Sequence, residues 1–305
     1  MPLPAAFLVR QHERDDLAVW KALFLLYGIW GLNWIIMKEA VLYFPPVPFV
    51  AYRFTLGAVI LLAVTVWLKL PLPPLKYWPW IIITGVLQTA LNNVLVQVGM
   101  QSLSAGLVAV LNYSMPIWVT IMAHFFLQES LTLRKAAGIA VSTIGLFILM
   151  NIDSLGHMGA ILAVLGASVS WAAASIIMKL QARAMIRSGE KEECSLFQYT
   201  TWQMVAGALS LLLYMGLTGS GHIDWNPVSI AYLLYNGILA SAFAFFLWNY
   251  ILSHMEAGKA SVTILAVPIV GVVSGIVILG EPMHLTTLLG MLLILSGIYY
   301  IVRQK

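Results

Sequence analysis

Apolar residues in this chain run in long stretches, each about as long as a helix that crosses a lipid bilayer. A hydrocarbon core about 30 Å thick needs roughly 20 apolar residues in helical conformation. Short polar or proline-rich connections separate the stretches, such as Pro45–Pro48 and Lys69–Pro74. The pattern predicts ten membrane-spanning helices, at residues 17–37, 47–69, 78–100, 105–127, 133–150, 158–181, 196–218, 227–252, 258–279 and 285–302.

The composition agrees with this pattern and excludes several other classes of protein. Of the 305 residues, 61% are hydrophobic and 9% are charged, whereas a soluble protein has about 25% charged residues. No segment is left for a soluble domain, and the single cysteine, Cys194, excludes an internal disulfide. We therefore expect an all-α polytopic membrane protein that is surrounded by the lipid bilayer and has no nucleic-acid partner.

The basic residues predict the orientation of the chain. When the chain is threaded through ten spans, all but Lys38 and Arg53 of the 16 lysines and arginines lie on the side of the N terminus. Because lysine and arginine are enriched on the cytoplasmic side of membranes, we expect both termini in the cytoplasm. Lys38, Arg53 and Lys179 are expected to extend towards the membrane interface rather than to bind a substrate carboxylate.

The second half of the chain repeats the first. Identical residues recur 152 positions apart, the pairs being Gly85 and Gly237, Pro116 and Pro268, Glu129 and Glu281, Gly138 and Gly290, and Gly145 and Gly297. Trp30 and Trp171 match in the same way at a separation of 141. Each repeat has five helices, and because five is an odd number the second copy is inverted in the membrane.

This organisation predicts a cytoplasmic tail at 1–16, a first five-helix repeat at 17–150 and a second, inverted repeat at 151–305. Inverted repeats are typical of alternating-access transporters, and a duplication that serves stability alone is the alternative. Pro116 and Pro268 lie near the middle of the fourth and ninth spans, where each removes a backbone donor and kinks its helix. We predict that both act as hinges; static kinks that improve packing are the alternative.

Polar and aromatic side chains at membrane depth gather on predicted helices one, three, four, six, eight and nine. In inverted-repeat transporters such helices line the central cavity, although each residue has the alternative of bonding or packing against a neighbouring helix. On the third helix, Gln88 and Asn92 share one face while Asn93 and Gln97 share another, and either pair could meet the cavity. The candidate substrate-binding residues are Trp30, Asn33, Trp34, Gln88, Asn92, Asn112, Tyr113, Trp171, Ser175, Trp248, Asn249 and Ser261.

The acidic residues of this sequence avoid the centre of the membrane. Every Asp and Glu falls at a predicted helix end or in a loop, whereas proton relays in transporters use intramembrane carboxylates. We expect a facilitator, or coupling without a buried acid, with His124 and His254 as the remaining titratable candidates. The sequence has no metal-ligand spacing, phosphate-binding loop or nucleophile motif, so we expect no enzyme activity, no catalytic residue, no metal and no cofactor.

Several of these features together resemble the drug/metabolite transporter superfamily, in its ten-helix EamA-type branch. The residues that carry the resemblance are Trp30–Trp34, Ser170–Ala172, Pro116-Ile117, Pro268-Ile269, Gln128-Glu129 and Gly280–Pro282. The resemblance covers essentially the whole chain. It implies a bacterial inner-membrane protein that exports small metabolites, with helices one, three, four, six, eight and nine around a central cavity.

Within that branch, the resemblance implies that the substrates are amino acids, aromatic or otherwise amphipathic. Export of another small metabolite or a drug-like compound is the alternative, and a channel or a membrane enzyme has less support from the sequence. The oligomeric state stays open between monomer and dimer. The small residues of Gly271–Gly275 could support a dimer, but packing within the chain is the simpler use.

Overall fold

Regular structure in this protein is helical throughout the residues that the computed structural model describes, which are 5–103, 108, 111–149, 158–187, 194–219, 221–279 and 285–303. A helix satisfies its backbone donors and acceptors internally, which is what the interior of a bilayer requires. The helices are α1 (Ala5–Ala40), α2 (Pro46–Trp67), α3 (Leu75–Met100), α4 (Met115–Leu127), α5 (Leu133–Leu149), α6 (Met158–Arg187), α7 (Leu196–Thr218), α8 (Pro227–His254), α9 (Ala257–Thr263 continued by Ala266–Leu279) and α10 (Leu285–Val302).

A described helix lies in each of the ten predicted spans, and in the fourth span, 105–127, that helix is Met115–Leu127. Seven of these helices are long and apolar enough to cross a membrane, and α4, α5 and α10 are shorter. The membrane part of α1, Leu17–Met37, has the predicted bounds. Residues 5–16, which belong to the predicted cytoplasmic tail, are helical and form the first turns of α1, because Ala5–Tyr27 has no glycine or proline that would end a helix.

The two five-helix repeats are intertwined rather than side by side. Contacts of α1 with α8 and α9 are matched by contacts of α6 with α3 and α4, and the contact of α2 with α8 is matched by that of α7 with α3. The remaining large contacts join equivalent helices directly, α2 with α7, α4 with α9 and α5 with α10. This is the arrangement expected of two inverted repeats that are related by an axis in the membrane plane.

Glycines bring the backbones of α5 and α10 together in a symmetric way. A Cβ atom on Gly145 would lie 2.7 Å from the carbonyl oxygen of Gly290, and one on Gly138 would lie 3.0 Å from that of Gly297. Between these contacts the Ser142 Oγ donates to the Ile294 carbonyl at 3.3 Å. Small residues allow such close approach of membrane helices, so this pair joins the two repeats at their axis.

Four helices depart from regular α geometry near the middle of the membrane, in symmetric pairs. Val86–Leu91 in α3 and Tyr235–Phe243 in α8 are π-helical. Regular α geometry is also interrupted just before Pro116 of α4 and Pro268 of α9. There the backbone N–H groups of Ser114 and Leu265 donate to the carbonyls three residues back, those of Leu111 and Val262, as in a 3₁₀ turn. Each proline then lies in the first turn of the following helix, where its missing N–H leaves no bond unmade.

Candidate substrate-binding site

A cavity of about 160 Å³ lies beside these irregular segments, between helices of both repeats. It extends from the middle of the membrane to the ends of α1 and α3, at Met37 and Met100. We call the face where α1 enters the membrane the N-side and the other the far side, so the cavity reaches towards the far side. Its lining residues are Trp30, Asn33, Met37, Arg53, Asn92, Asn93, Val96, Met100, Val108, Asn112, Tyr113, Met115, Trp171, Ala240, Phe245 and Ile264.

The structure brings half of the candidate residues to this cavity. Those that line it are Trp30, Asn33, Asn92, Asn112, Tyr113 and Trp171. Those that are buried elsewhere between helices are Gln88, Ser175, Trp248, Asn249 and Ser261. The side chain of Trp34 lies outside the described part of the structure.

The amides that lie away from the cavity connect α3, α7 and α8. Gln203 on α7 donates to the Gln88 side chain, and Asn249 donates to the Gln203 Oε1 at 2.9 Å and to the Thr200 Oγ1 at 3.0 Å. The hydrogen bonds that Gln88 and Asn249 form go to other helices, while the Gln88 Nε2 and the Asn249 Oδ1 are buried without a partner. In this conformation Gln88 and Asn249 therefore support the helix packing, and a role in substrate binding stays a prediction.

The two serines bond to their own helices, and the tryptophan packs in the core. Ser175 donates to the carbonyl oxygen of Trp171 at 3.0 Å, and Ser261 to that of Gly258 at 2.9 Å. Such bonds are the usual way in which a membrane helix satisfies a serine. Trp248 is fully buried in the apolar core near the N-side.

The π-helical segment of α3 explains why its polar residues divide as they do. Asn92 donates its backbone N–H to the Leu87 carbonyl, five residues back, so the turn holds more residues than a regular one. Gln88 and Asn92 consequently do not share a face, whereas Asn92 and Asn93 both line the cavity. The Asn92 amide donates to the Asn112 side chain at 3.2 Å.

Three aromatic rings that contact one another form part of the cavity wall. Trp30, Trp171 and Phe245 contact one another edge to face, with ring centroids 5.5 to 6.3 Å apart. The Trp30 Nε1 donates to the Ala240 carbonyl at 3.0 Å, within the π-helical segment of α8. Because Trp30 and Trp171 are equivalent in the two repeats, this wall lies on the axis that relates them.

The two repeats contribute different chemistry to the cavity. Asn93 and Phe245 are 152 positions apart, as are Asn112 and Ile264, and all four line the cavity. At both pairs the first repeat places an amide where the second places an apolar side chain. The cavity therefore has a polar side and an apolar side, which suits a solute with the same division.

Arg53 is a cavity residue that the sequence did not identify. We expected it at the membrane interface, but it is 8% exposed and lines the cavity. The Arg53 Nη1 lies 3.3 Å from the Asn236 Oδ1 and 3.4 Å from the Met37 sulfur. A long basic side chain can extend towards the membrane interface or towards the interior of the protein. The position of Arg53 in the sequence therefore does not decide whether its side chain lies at the interface or in the cavity. The available signal was that an ionisable residue within a membrane span marks a functional site by default.

On the N-side a cluster of polar contacts joins α4, α6 and α9. Glu129 follows α4, and its two carboxylate oxygens accept from the backbone N–H groups of Ala257 and Gly258 at 2.9 and 3.1 Å. A carboxylate at the start of a helix is stabilised by the free N–H groups and the helix dipole. Arg183 of α6 lies 3.5 Å from Glu129 and donates to the Leu127 carbonyl at 2.7 Å. We call Glu129, Arg183 and the first turn of α9 the N-side closure.

Lysines extend this closure to α5 and α8. Lys179 is buried rather than at the interface as predicted, and its ammonium donates to the Leu252 and Met255 carbonyls at the end of α8. Glu256 pairs with Lys135 at 3.0 Å and with Lys259 at 3.7 Å. Partial burial raises the pKa of Glu256, but the hydrogen bond and charge of Lys135 and the charge of Lys259 outweigh it and hold that pKa below its ordinary value.

Known proteins resemble this chain over almost its whole length. The model of the EamA-like transporter family matches twice, over residues 18–151 and 158–303. An uncharacterized transporter of Bacillus subtilis, YoaV, is 30% identical over 89% of this chain and 92% of the relative. A Salmonella typhimurium protein named a probable amino-acid metabolite efflux pump is 28% identical over 90% of this chain and 91% of the relative.

A solved crystal structure has the same fold. It aligns with a TM-score of 0.78 over 93% of this chain and 96% of that chain. The two sequences are 16% identical, so the similarity concerns the fold alone.

Proposed function

The chain belongs to the EamA-like transporter family, and from that premise we propose that it exports amphipathic amino acids or closely related metabolites by alternating access. The observation that carries this proposal is the two-sided cavity between the repeats. Its amides can bond the polar end of a solute, and its aromatic wall can contact an apolar end. The efflux function in the name of the Salmonella relative supports the same substrate class.

Alternating access is supported by the difference between the two faces. On the N-side, Glu129 and Arg183 fix the end of α4 to α6 and to the start of α9. The cavity extends towards the opposite face, as far as Met37 and Met100. Opening the N-side requires α9 to leave Glu129, and the helix breaks before Pro116 and Pro268 are where α4 and α9 can bend.

We infer the direction of transport from the orientation that the basic residues predict. The excess of Lys and Arg on the N-side favours a cytoplasmic position for that face and for both termini. The bacterial relatives favour the inner membrane. We propose that this conformation is the state of an exporter that is closed to the cytoplasm and releases its solute outside.

Transport by purified protein in sealed liposomes tests this proposal. Vesicles loaded with unlabelled phenylalanine, leucine, glutamate or lysine are diluted into the same labelled amino acid, with protein-free vesicles as the control, with and without a pH gradient. We expect saturable exchange of phenylalanine and leucine that is accelerated by solute on the opposite side. If no amino acid moves, the substrate class is wrong, and if flux is fast and does not saturate, the protein is a channel.

A further inference from the structure

Arg53 carries a positive charge that has no ionic partner among the residues that the structure describes. The ion pairs among the described residues are Lys135 with Glu256, Lys259 with Glu256 and Arg183 with Glu129, and none involves Arg53. The residue is nonetheless 8% exposed and lies within the membrane span of α2. Burying a charge without a partner costs free energy. An anion that binds next to Arg53 from outside the protein would lower that cost.

The Phe54 ring lies 4.6 Å from the Arg53 Cζ in a cation–π contact, which covers one face of the guanidinium but uses none of its N–H donors. The guanidinium has five N–H donors in a planar fork, and its Nε has no partner. The Nη1 contacts are to an amide oxygen at 3.3 Å and to the Met37 sulfur at 3.4 Å, and a thioether is a weak acceptor. A carboxylate can accept two parallel bonds from such a fork.

A buried acceptor lies next to this donor. Asn33 and Arg53 both contact the Met37 sulfur, at 3.1 and 3.4 Å, and both line the cavity. The Asn33 amide is 8% exposed and its Oδ1 has no hydrogen-bond partner. Donors of Arg53 and an acceptor of Asn33 that no group in the protein uses thus lie side by side, in the cavity that Trp171 and Phe245 also line.

We propose that Arg53 and Asn33 form the subsite for the charged end of the transported solute. Arg53 binds the carboxylate, the Asn33 Oδ1 accepts from the α-ammonium group, and the apolar part lies against Trp30, Trp171 and Phe245. The inference rests on the proposed transport function and narrows its substrates to zwitterions with one apolar end. The bound carboxylate also supplies the missing counter-charge for Arg53.

Equilibrium binding of three related compounds to the purified full-length protein tests this subsite. Phenylalanine has both charged groups, 2-phenylethylamine lacks the carboxylate and 3-phenylpropionate lacks the ammonium. A hydrogen bond to a charged group contributes enough for about a 10- to 100-fold change in affinity. We expect phenylalanine to bind about 10- to 100-fold more tightly than 2-phenylethylamine, and about tenfold more tightly than 3-phenylpropionate.

Variants then assign this discrimination to residues. Arg53→Gln should reduce phenylalanine affinity to that of the amine, Arg53→Lys should restore part of it, and Asn33→Leu should remove the preference over 3-phenylpropionate. Arg303→Gln, which changes an exposed arginine at the end of α10, should have no effect. A folded Arg53→Gln protein that still prefers phenylalanine over the amine overturns the proposal.

The wild-type comparison decides the matter even if Arg53→Gln does not fold. Equal affinity for phenylalanine and 2-phenylethylamine contradicts a carboxylate subsite. Flux of amines without binding of any carboxylate also contradicts it while leaving the transport function standing. Absence of flux for every solute overturns the transport function itself.

Discussion

At the scale of single residues, polar side chains at membrane depth divide according to where their hydrogen bonds go. Asn249 and Gln203 use their amide groups to join α8 to α7. Asn93, by contrast, only donates back to the Thr89 carbonyl of its own helix and lines the cavity. The first group stabilises the fold and the second is available to a solute.

This division predicts opposite effects for two similar substitutions. Asn249→Leu removes two interhelical bonds, each contributing about 0.6 kcal/mol and at most about 1.7, so we expect a loss of about 1–2 kcal/mol in stability and phenylalanine affinity within twofold of wild type. Asn93→Leu should leave stability nearly unchanged and weaken binding several-fold. Thermal unfolding and equilibrium binding of both variants check this. If Asn249→Leu weakens phenylalanine binding and leaves stability unchanged, Asn249 belongs to the binding site and not to the helix packing.

The sequence showed which polar residues lie at membrane depth, but it gave less information on which of their side chains face the cavity. Asn33, Asn92 and Asn112 were expected at the cavity and line it. Gln88 was expected beside Asn92, but the π-helical turn separates them, and a π-helix has no strong sequence signal. Arg53 was misplaced because its direction depends on the packing of α2 against α8.

At the scale of helices, regular α geometry is interrupted just before each of the two predicted hinges, Pro116 in α4 and Pro268 in α9. The sequence predicted where these helices are interrupted, because a proline cannot donate a backbone hydrogen bond to the previous turn. That the break precedes each proline, leaving it in a first turn, was not predicted. The N-side closure also acts at this scale, since Glu129 joins the end of one helix to the start of another.

Replacing the prolines tests the hinge. Pro268→Ala restores a backbone donor, so α9 can continue as a regular helix across the break. We expect the exchange rate to fall several-fold with little change in phenylalanine affinity, and the same for Pro116→Ala. Pro227→Ala at the regular start of α8 is the matched control and should not change the rate. Normal exchange in both hinge variants would show that the kinks are static.

At the scale of the whole molecule, the inverted repeat determines which helices meet. The constant separation of 152 positions predicted two equivalent halves, and the described contacts follow that equivalence. The sequence did not show that the halves intertwine, because long-range partners depend on which small residues face one another. One such contact is that of α5 with α10, whose backbones are brought together by Gly138, Gly145, Gly290 and Gly297.

A larger side chain at this axis should therefore weaken the whole protein. Gly145→Leu places atoms where the Gly290 carbonyl already lies, and overpacking of this kind costs about 1–3 kcal/mol or more. We expect a clearly lower unfolding temperature and lower yield. Gly216→Leu on α7, where nothing lies within 4 Å, is the control and should behave like wild type. Equal stability of the two variants would contradict the glycine contact.

Alternating access requires that the cavity is open to only one face of the membrane at a time. The accessibility of a cysteine placed in the cavity tests this requirement most directly. Asn112→Cys in a Cys194→Ala background is labelled by a membrane-impermeant thiol reagent added to either face of oriented vesicles, with or without Glu129→Gln. We predict labelling from the far side with intact Glu129, and about tenfold more labelling from the N-side when Glu129→Gln weakens the closure. Glu39→Gln, near the far side, should leave the pattern unchanged. Labelling from both faces at equal rates with Glu129 intact would contradict alternating access.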